Sequence, residues 1–367
     1  MFSGLSLNDK LVAEEGKPSG FDYMRLVLAL SVICFHSILL SYGQQAQDDL
    51  WRSAWRPFIA VILPMFFGLS GFLVAGSLDR SKTLVTFLGL RVLRIIPALA
   101  FEVTLSALVL GPLVTVEPLK AYFTDRDFFA YFLNILGDIH YELPGLFLLN
   151  PTPKTVNGQL WTVPYEMYSY AVLTFLAVTG IFKRLSWLLF FMGGCYVLQI
   201  LNAVFRPIEA VSTVHGPTLV MFFIAGLVLY QYRDKIKWNR ALFCLSALLF
   251  LALLSVPNGD RFAALPGAYV TVYLGLLNPR RQNILLSGDY SYGLFLYGYP
   301  LQQAFMSIGP ELHHWYWNLL VTIPSAGLIA VLSWWRVEKP ALGLRKYLKD
   351  LEQWRINKQP VKVPDYA

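Results

Sequence analysis

Charge is scarce in this chain. Asp, Glu, Lys and Arg make up only 14% of its 367 residues, against 56% apolar residues and a mean hydropathy of +0.51, which excludes an ordinary soluble globule. Cysteine is scarcer still. Cys34, Cys195 and Cys244 fall inside apolar stretches, without the pairing or spacing of a disulfide framework or a zinc site. They are expected to be small packing residues, and no metal site is expected. No cleavable signal is evident, because the polar start of the chain leads into an apolar run with no small-residue cleavage pattern after it. That run reads as a permanent first helix. No internal repeat points to a transporter built of two halves. The terminal VPDYA matches the end of a common epitope tag and carries none of the argument.

What the chain does have is long apolar runs. A hydrocarbon core of about 30 Å needs roughly 20 mostly apolar residues per helix. About ten such stretches lie near 24–42, 57–78, 92–114, 161–181, 185–203, 214–231, 240–256, 262–278, 288–308 and 315–335. The expected fold is therefore all-α: a polytopic transmembrane helical bundle of about ten spans with both termini cytoplasmic.

Basic residues fix that orientation. With the N-terminus inside, 23 of the 30 Lys and Arg residues fall on inner segments. The outer set is Arg52, Arg56, Lys120, Arg126, Lys154, Arg206 and Arg261. The net charge of +7 then belongs to loops facing anionic headgroups, and no nucleic-acid partner is needed to explain it.

Residues 1–21 read as a cytoplasmic N-terminal arm, 22–335 as the membrane domain and 336–367 as a basic cytoplasmic tail. The longest connection, roughly 115–160, lies outside and contains aromatic pieces too short to cross the bilayer. Such a loop is expected to fold back over the membrane mouth and shape an outer vestibule.

Ionisable side chains within a span cost at least about 2.5 kcal/mol at the helix centre, so each calls for a partner or a task. Arg25 and His36 lie eleven residues apart in the first span, on one helical face and about 16 Å apart in depth. A lone membrane histidine can be a packing residue, but the aligned arginine favours function, and His36 is the first catalytic candidate. Arg91 and Arg94 form an i, i+3 pair at the start of the third span, with Glu102 nearly aligned behind them. Ordinary positive-inside anchoring is the rival explanation. Together with Arg25, these guanidinium groups would make a strong site for a phosphorylated ligand. Glu166 enters the membrane beside Trp161, Tyr165, Tyr168 and Ser169, with a structural ion pair as its alternative role. Ser70 and Gly71 sit among apolar residues where small side chains let helices approach closely.

Taken in order, FDYMRLVLALSVICFHS, FFGLSGFLVAGSLDRS, FLGLRVLRIIPAL, NGQLWTVPYE, GDYSYGLFLYGYPLQQ and WRVEKP resemble the membrane acyltransferase 3 family, through most of the chain. Members O-acetylate bacterial surface polysaccharides and nodulation lipo-oligosaccharides. Thr162 and Pro164 depart from the family's usual fourth-span motif, and no esterase-like domain follows the membrane body. The resemblance implies that His36 is catalytic, that Arg25, Arg91 and Arg94 serve donor binding or helix organisation, and that Glu166 and Glu338 are functionally placed.

The expected activity is transfer of an acetyl group from cytosolic acetyl-CoA, used as a substrate and not as a resident cofactor, to a hydroxyl of an extracytoplasmic glycan or lipo-oligosaccharide. The expected location is the bacterial inner membrane. His36 would serve as general base or as acyl carrier. Glu166 would orient it or pair with an arginine, and Ser70, Tyr292 or a backbone N–H would stabilise the oxyanion. Trp161, Tyr165, Tyr168, Tyr292, Tyr297 and Tyr299 suit a sugar cleft, although interfacial anchoring explains most aromatics of this kind. A transporter or flippase for a lipid-linked sugar is the main rival, and a non-catalytic scaffold for glycan assembly is the second.

Overall fold

The computed structural model describes residues 4–205, 214–283 and 287–358; Arg206 and the terminal VPDYA lie outside them. The described residues fold into helices, with no strand beyond two isolated bridges, Ser6 to Lys237 and Glu142 to Thr155. Polar residues start several of the helices. Thr83 accepts the backbone N–H of Thr86 ahead of the Leu84–Leu105 helix, and Asn239 accepts that of Leu242 ahead of Arg240–Ser255. Pro164 and Pro217 occupy first-turn positions, where a missing N–H costs nothing.

Among the described residues, five helical runs are long and apolar enough to cross a membrane: Gly20–Arg52, Arg56–Arg80, Leu84–Val114, Leu185–Phe205 and Trp315–Trp354. The other expected spans fold as shorter helices, among them Gly216–Gln231 and Arg240–Ser255, Val163–Val178, Ala264–Gly275 and Ser291–Met306. Half of the expected spans are thus long helical runs, and Gly, Pro and 3-10 turns shorten the rest. Outward-facing apolar surface is plentiful. Trp187, Phe190, Leu198 and Phe205 of one long helix are exposed, as expected where lipid is the solvent. Cys195 is half-buried and packs against the core, as expected of a small packing residue, whereas Cys34 and Cys244 are exposed.

Two glycines set the geometry that matters most. Gly43 has φ 81 and ψ −178 and breaks the first long helix, a conformation essentially reserved for glycine. Past this break Gln44, Gln47 and Trp51 line the same cavity as His36. Gly71 lies so near the Gly216–Gln231 helix that a Cβ there would stand 2.0 Å from the carbonyl oxygen of Phe223. The two backbones touch, as the small residues of the second span foretell.

The segment over 115–160 is packed onto the bundle. Tyr122 and Tyr131 are fully buried, and the Tyr122 hydroxyl donates to the carbonyl of Ala107 at 2.7 Å; burial raises its pKa. Asn150 donates to Gln303 at 2.7 Å, and Gln303 donates to the carbonyls of Thr152 and Thr155 at 2.7 Å each. On the opposite arm, helix Leu7–Ala13 begins with a capping box between Ser6 and Asp9, whose hydrogen bonds hold the Asp9 carboxyl below its usual range. The arm docks through Leu7 N–H to Ile236 O at 3.0 Å and Trp238 N–H to Leu5 O at 2.8 Å.

Candidate active site

Three cavities among the described residues adjoin one another. The first, about 400 Å³, is lined by Asp22, Arg281, Asp289, Tyr290, Trp334 and Lys339 among others. The second, about 180 Å³, brings together Arg25, Arg91, Arg94, Ser70, Glu166 and Tyr292. The third, about 300 Å³, holds His36 with Gln44, Gln47, Trp51, Gln159, Trp161 and Tyr299. Ser291 lines both the first and the second. Leu63, Thr162 and Phe295 line both the second and the third, so the arginine chamber and the histidine chamber share a wall.

The arginines are not equivalent. Asp289 Oδ2 receives Arg25 at 2.9 Å and Arg94 at 2.7 Å. Arg25 is also paired with Asp22 at 2.9 Å, and Arg94 with Glu338 at 3.7 Å. Glu338 is held in turn by Ser333, which receives the hydroxyl of Tyr297. Carboxylates therefore compensate two of the three guanidinium groups, as a partly buried charge requires. Arg91 differs. It donates to Ser77 Oγ at 3.1 Å, its Nε has no hydrogen-bond partner although buried, and among the described residues it enters no ion pair. The carboxylate it senses is Glu166 across the same chamber, without a direct ion pair.

Glu166 shares that chamber with Arg91 and Arg94 and accepts the Tyr170 hydroxyl at 2.6 Å. It does not line the His36 cavity, so the expected choice between orienting the imidazole and facing an arginine falls to the arginine side. Tyr292 lies against Arg94, with the guanidinium 5.7 Å from its ring centroid, and its buried hydroxyl is unpartnered. His36 is half-buried; its ring meets Tyr299 edge-on at 5.1 Å and Phe35 at 5.7 Å. Trp161 and Tyr299 are thus cavity walls, whereas Tyr168 is exposed and suits an anchoring role.

Glu102 is not brought to the arginines. It is fully buried and accepts from Ser106 at 2.7 Å and Asn157 at 2.9 Å, while Asn157 also contacts the hydroxyl of Tyr131. It ties the outer segment to the third long helix. Asp289 in GDYSYGLF, and Asn157 and Gln159 in NGQLW, are site residues that helical spacing does not single out. A carboxylate ahead of an apolar run was the available signal for the first.

With this geometry in place the relatives are informative. The acyltransferase domain family, acyltransferase 3, matches residues 19–337, and the chain belongs to it. It is an enzyme, an acyltransferase with membrane-capable helices. Among similar proteins, Nodulation protein 10 of Rhizobium leguminosarum bv. viciae is 28% identical, over 91% of this chain and 95% of its own length. The O-acetyl transferase of Shigella phage Sf6 is 26% identical, over 88% of this chain and 96% of its own. No solved structure matches.

Proposed function

We propose that this acyltransferase moves an acetyl group from cytosolic acetyl-CoA to a hydroxyl of an extracytoplasmic glycan, a surface polysaccharide or a lipo-oligosaccharide, in the bacterial inner membrane. The observation that carries the reading is the shared wall between a chamber that gathers three arginines, one of them outside any direct ion pair, and a chamber with a histidine. The name of the phage relative supports acetyl as the group, and the distribution of basic residues supports entry of the donor from the cytosol.

In this mechanism the donor's phosphates bind at Arg91, with Arg25 and Arg94 beside it, as guanidinium forks bind phosphate. The pantetheine arm passes Leu63, Thr162 and Phe295 and brings the thioester to His36. The neutral imidazole takes the proton of the glycan hydroxyl as its oxygen attacks the thioester carbonyl. The tetrahedral intermediate collapses with cleavage of the C–S bond, and the imidazolium returns the proton to the departing thiolate. The ester and the free thiol are the products. An acyl-histidine would divide the same transfer into two steps.

The test is acetate transfer to surface glycan by membranes carrying His36→Ala or Arg91→Ala at confirmed wild-type abundance. His36→Ala is expected to lose at least about a hundredfold in rate, and Arg91→Ala to raise the donor KM. Transfer at the wild-type rate by His36→Ala removes the proposed base.

A further inference from the structure

Beside His36 stands a polar group that the mechanism above leaves idle. Gln159 is 1% exposed and lines the histidine cavity. Its Nε2 donates to the carbonyl of Leu296 at 2.7 Å. That carbonyl is open because the residue one helical turn further on is Pro300, which has no N–H to offer it. The pairing fixes the amide: nitrogen belongs to Leu296, and oxygen is left without that partner. Oε1 has no hydrogen-bond partner although it is buried. Orphan buried acceptors are uncommon and call for an explanation. An amide oxygen only accepts, so whatever satisfies it must bring an O–H or N–H.

We propose that Gln159 Oε1 accepts a hydrogen bond from a hydroxyl of the acceptor adjacent to the one His36 deprotonates, and so selects which hydroxyl of a polyol is acylated. The inference rests on the reading of the His36 chamber as the acceptor site. The substrate class it fits is a ring with neighbouring hydroxyls, one presented to the imidazole and the next to the amide. An acceptor that lacks the second hydroxyl leaves a buried oxygen unpaired, and sites built on a hydrogen bond reject such analogues strongly.

The competing role is structural: Gln159 does no more than cover the Leu296 carbonyl. A double variant separates the two. Gln159→Met removes both contacts, while Pro300→Ala restores a backbone N–H to Leu296 without touching the cavity. The acceptor probe is the producing cell's own surface glycan, stripped of esters with mild alkali, and the donor is radiolabelled acetyl-CoA. Gln159→Met is expected to lower kcat/KM for the glycan about tenfold, the equivalent of one hydrogen bond, with the donor KM unchanged. The label is expected to spread over neighbouring hydroxyls, as NMR of the product would report. Pro300→Ala/Gln159→Met is expected to keep both defects. Recovery of wild-type rate and position in the double variant overturns the proposal, as does a parallel loss toward donor and acceptor. Wild-type protein that leaves the glycan unlabelled overturns the proposed function as well, whereas labelling by wild type and Gln159→Met alike overturns this inference alone.

Discussion

Arg94 reaches across 195 residues of chain to Asp289, at 2.7 Å. The contact joins the third long helix to the approach of the Ser291–Met306 helix, and Arg25 of the first long helix meets the same carboxylate oxygen at 2.9 Å. One acidic side chain thereby ties together three elements around the arginine chamber.

Asp289→Asn leaves the shape and removes the charge. Both arginines are about three-quarters buried, with side-chain exposures of 25% and 22%, so the loss falls between that of an exposed pair and that of a fully buried one, about 1 to 3 kcal/mol. The solubilised variant is expected to melt several degrees below wild type in a thermal-shift assay. An unchanged melting temperature would show that the three elements hold together without it.

Leu63 lies in the wall shared by the two chambers, which makes it a place to separate binding from transfer. Leu63→Trp is expected to obstruct the proposed route of the acyl arm. Binding of acetyl-CoA to purified protein should persist, and acetate delivery to glycan should drop at least about tenfold, since a misplacement of about 1 Å is enough to cost a hundredfold. A variant that binds and transfers like wild type places the route of the acyl group elsewhere.

Gly71→Ala tests the contact between backbones. The new methyl group would stand 2.0 Å from the Phe223 carbonyl oxygen and 2.9 Å from its carbon, and neither can swing aside as a side chain would. A cost of about 3 kcal/mol is expected, seen as poor accumulation and early melting. Gly327→Ala is the control, because nothing lies within 4 Å of its added Cβ; helix propensity predicts a gain of up to about 1 kcal/mol there. Equal behaviour of the two variants would contradict the close crossing.

Much of this was legible from one sequence because membrane helices announce themselves through apolar runs, and because Arg25, Arg91 and Arg94 sit where helical spacing can be counted. All three do line one chamber. What spacing does not give is reach. Glu102 shares a helical face with Arg91 but lies about 16 Å along the axis, with Pro97 between them, and its partners are Ser106 and Asn157 instead. Arg25 and His36 likewise share a face and open into different chambers. Asp289 and Gln159 escaped because their roles depend on partners 195 and 137 residues away. Helix lengths were hidden for a different reason: hydropathy registers how apolar a run is, not where a glycine or proline ends its helix.

The wall between the chambers has one more consequence. Leu63 and Phe295 offer hydrocarbon and Thr162 a single hydroxyl, a lining on which small hydrated ions find little to replace their water. In the proposed transfer a flexible, largely uncharged arm would cross this lining more readily than protons or metal cations, so that acylation need not short-circuit the electrical potential that the bilayer sustains.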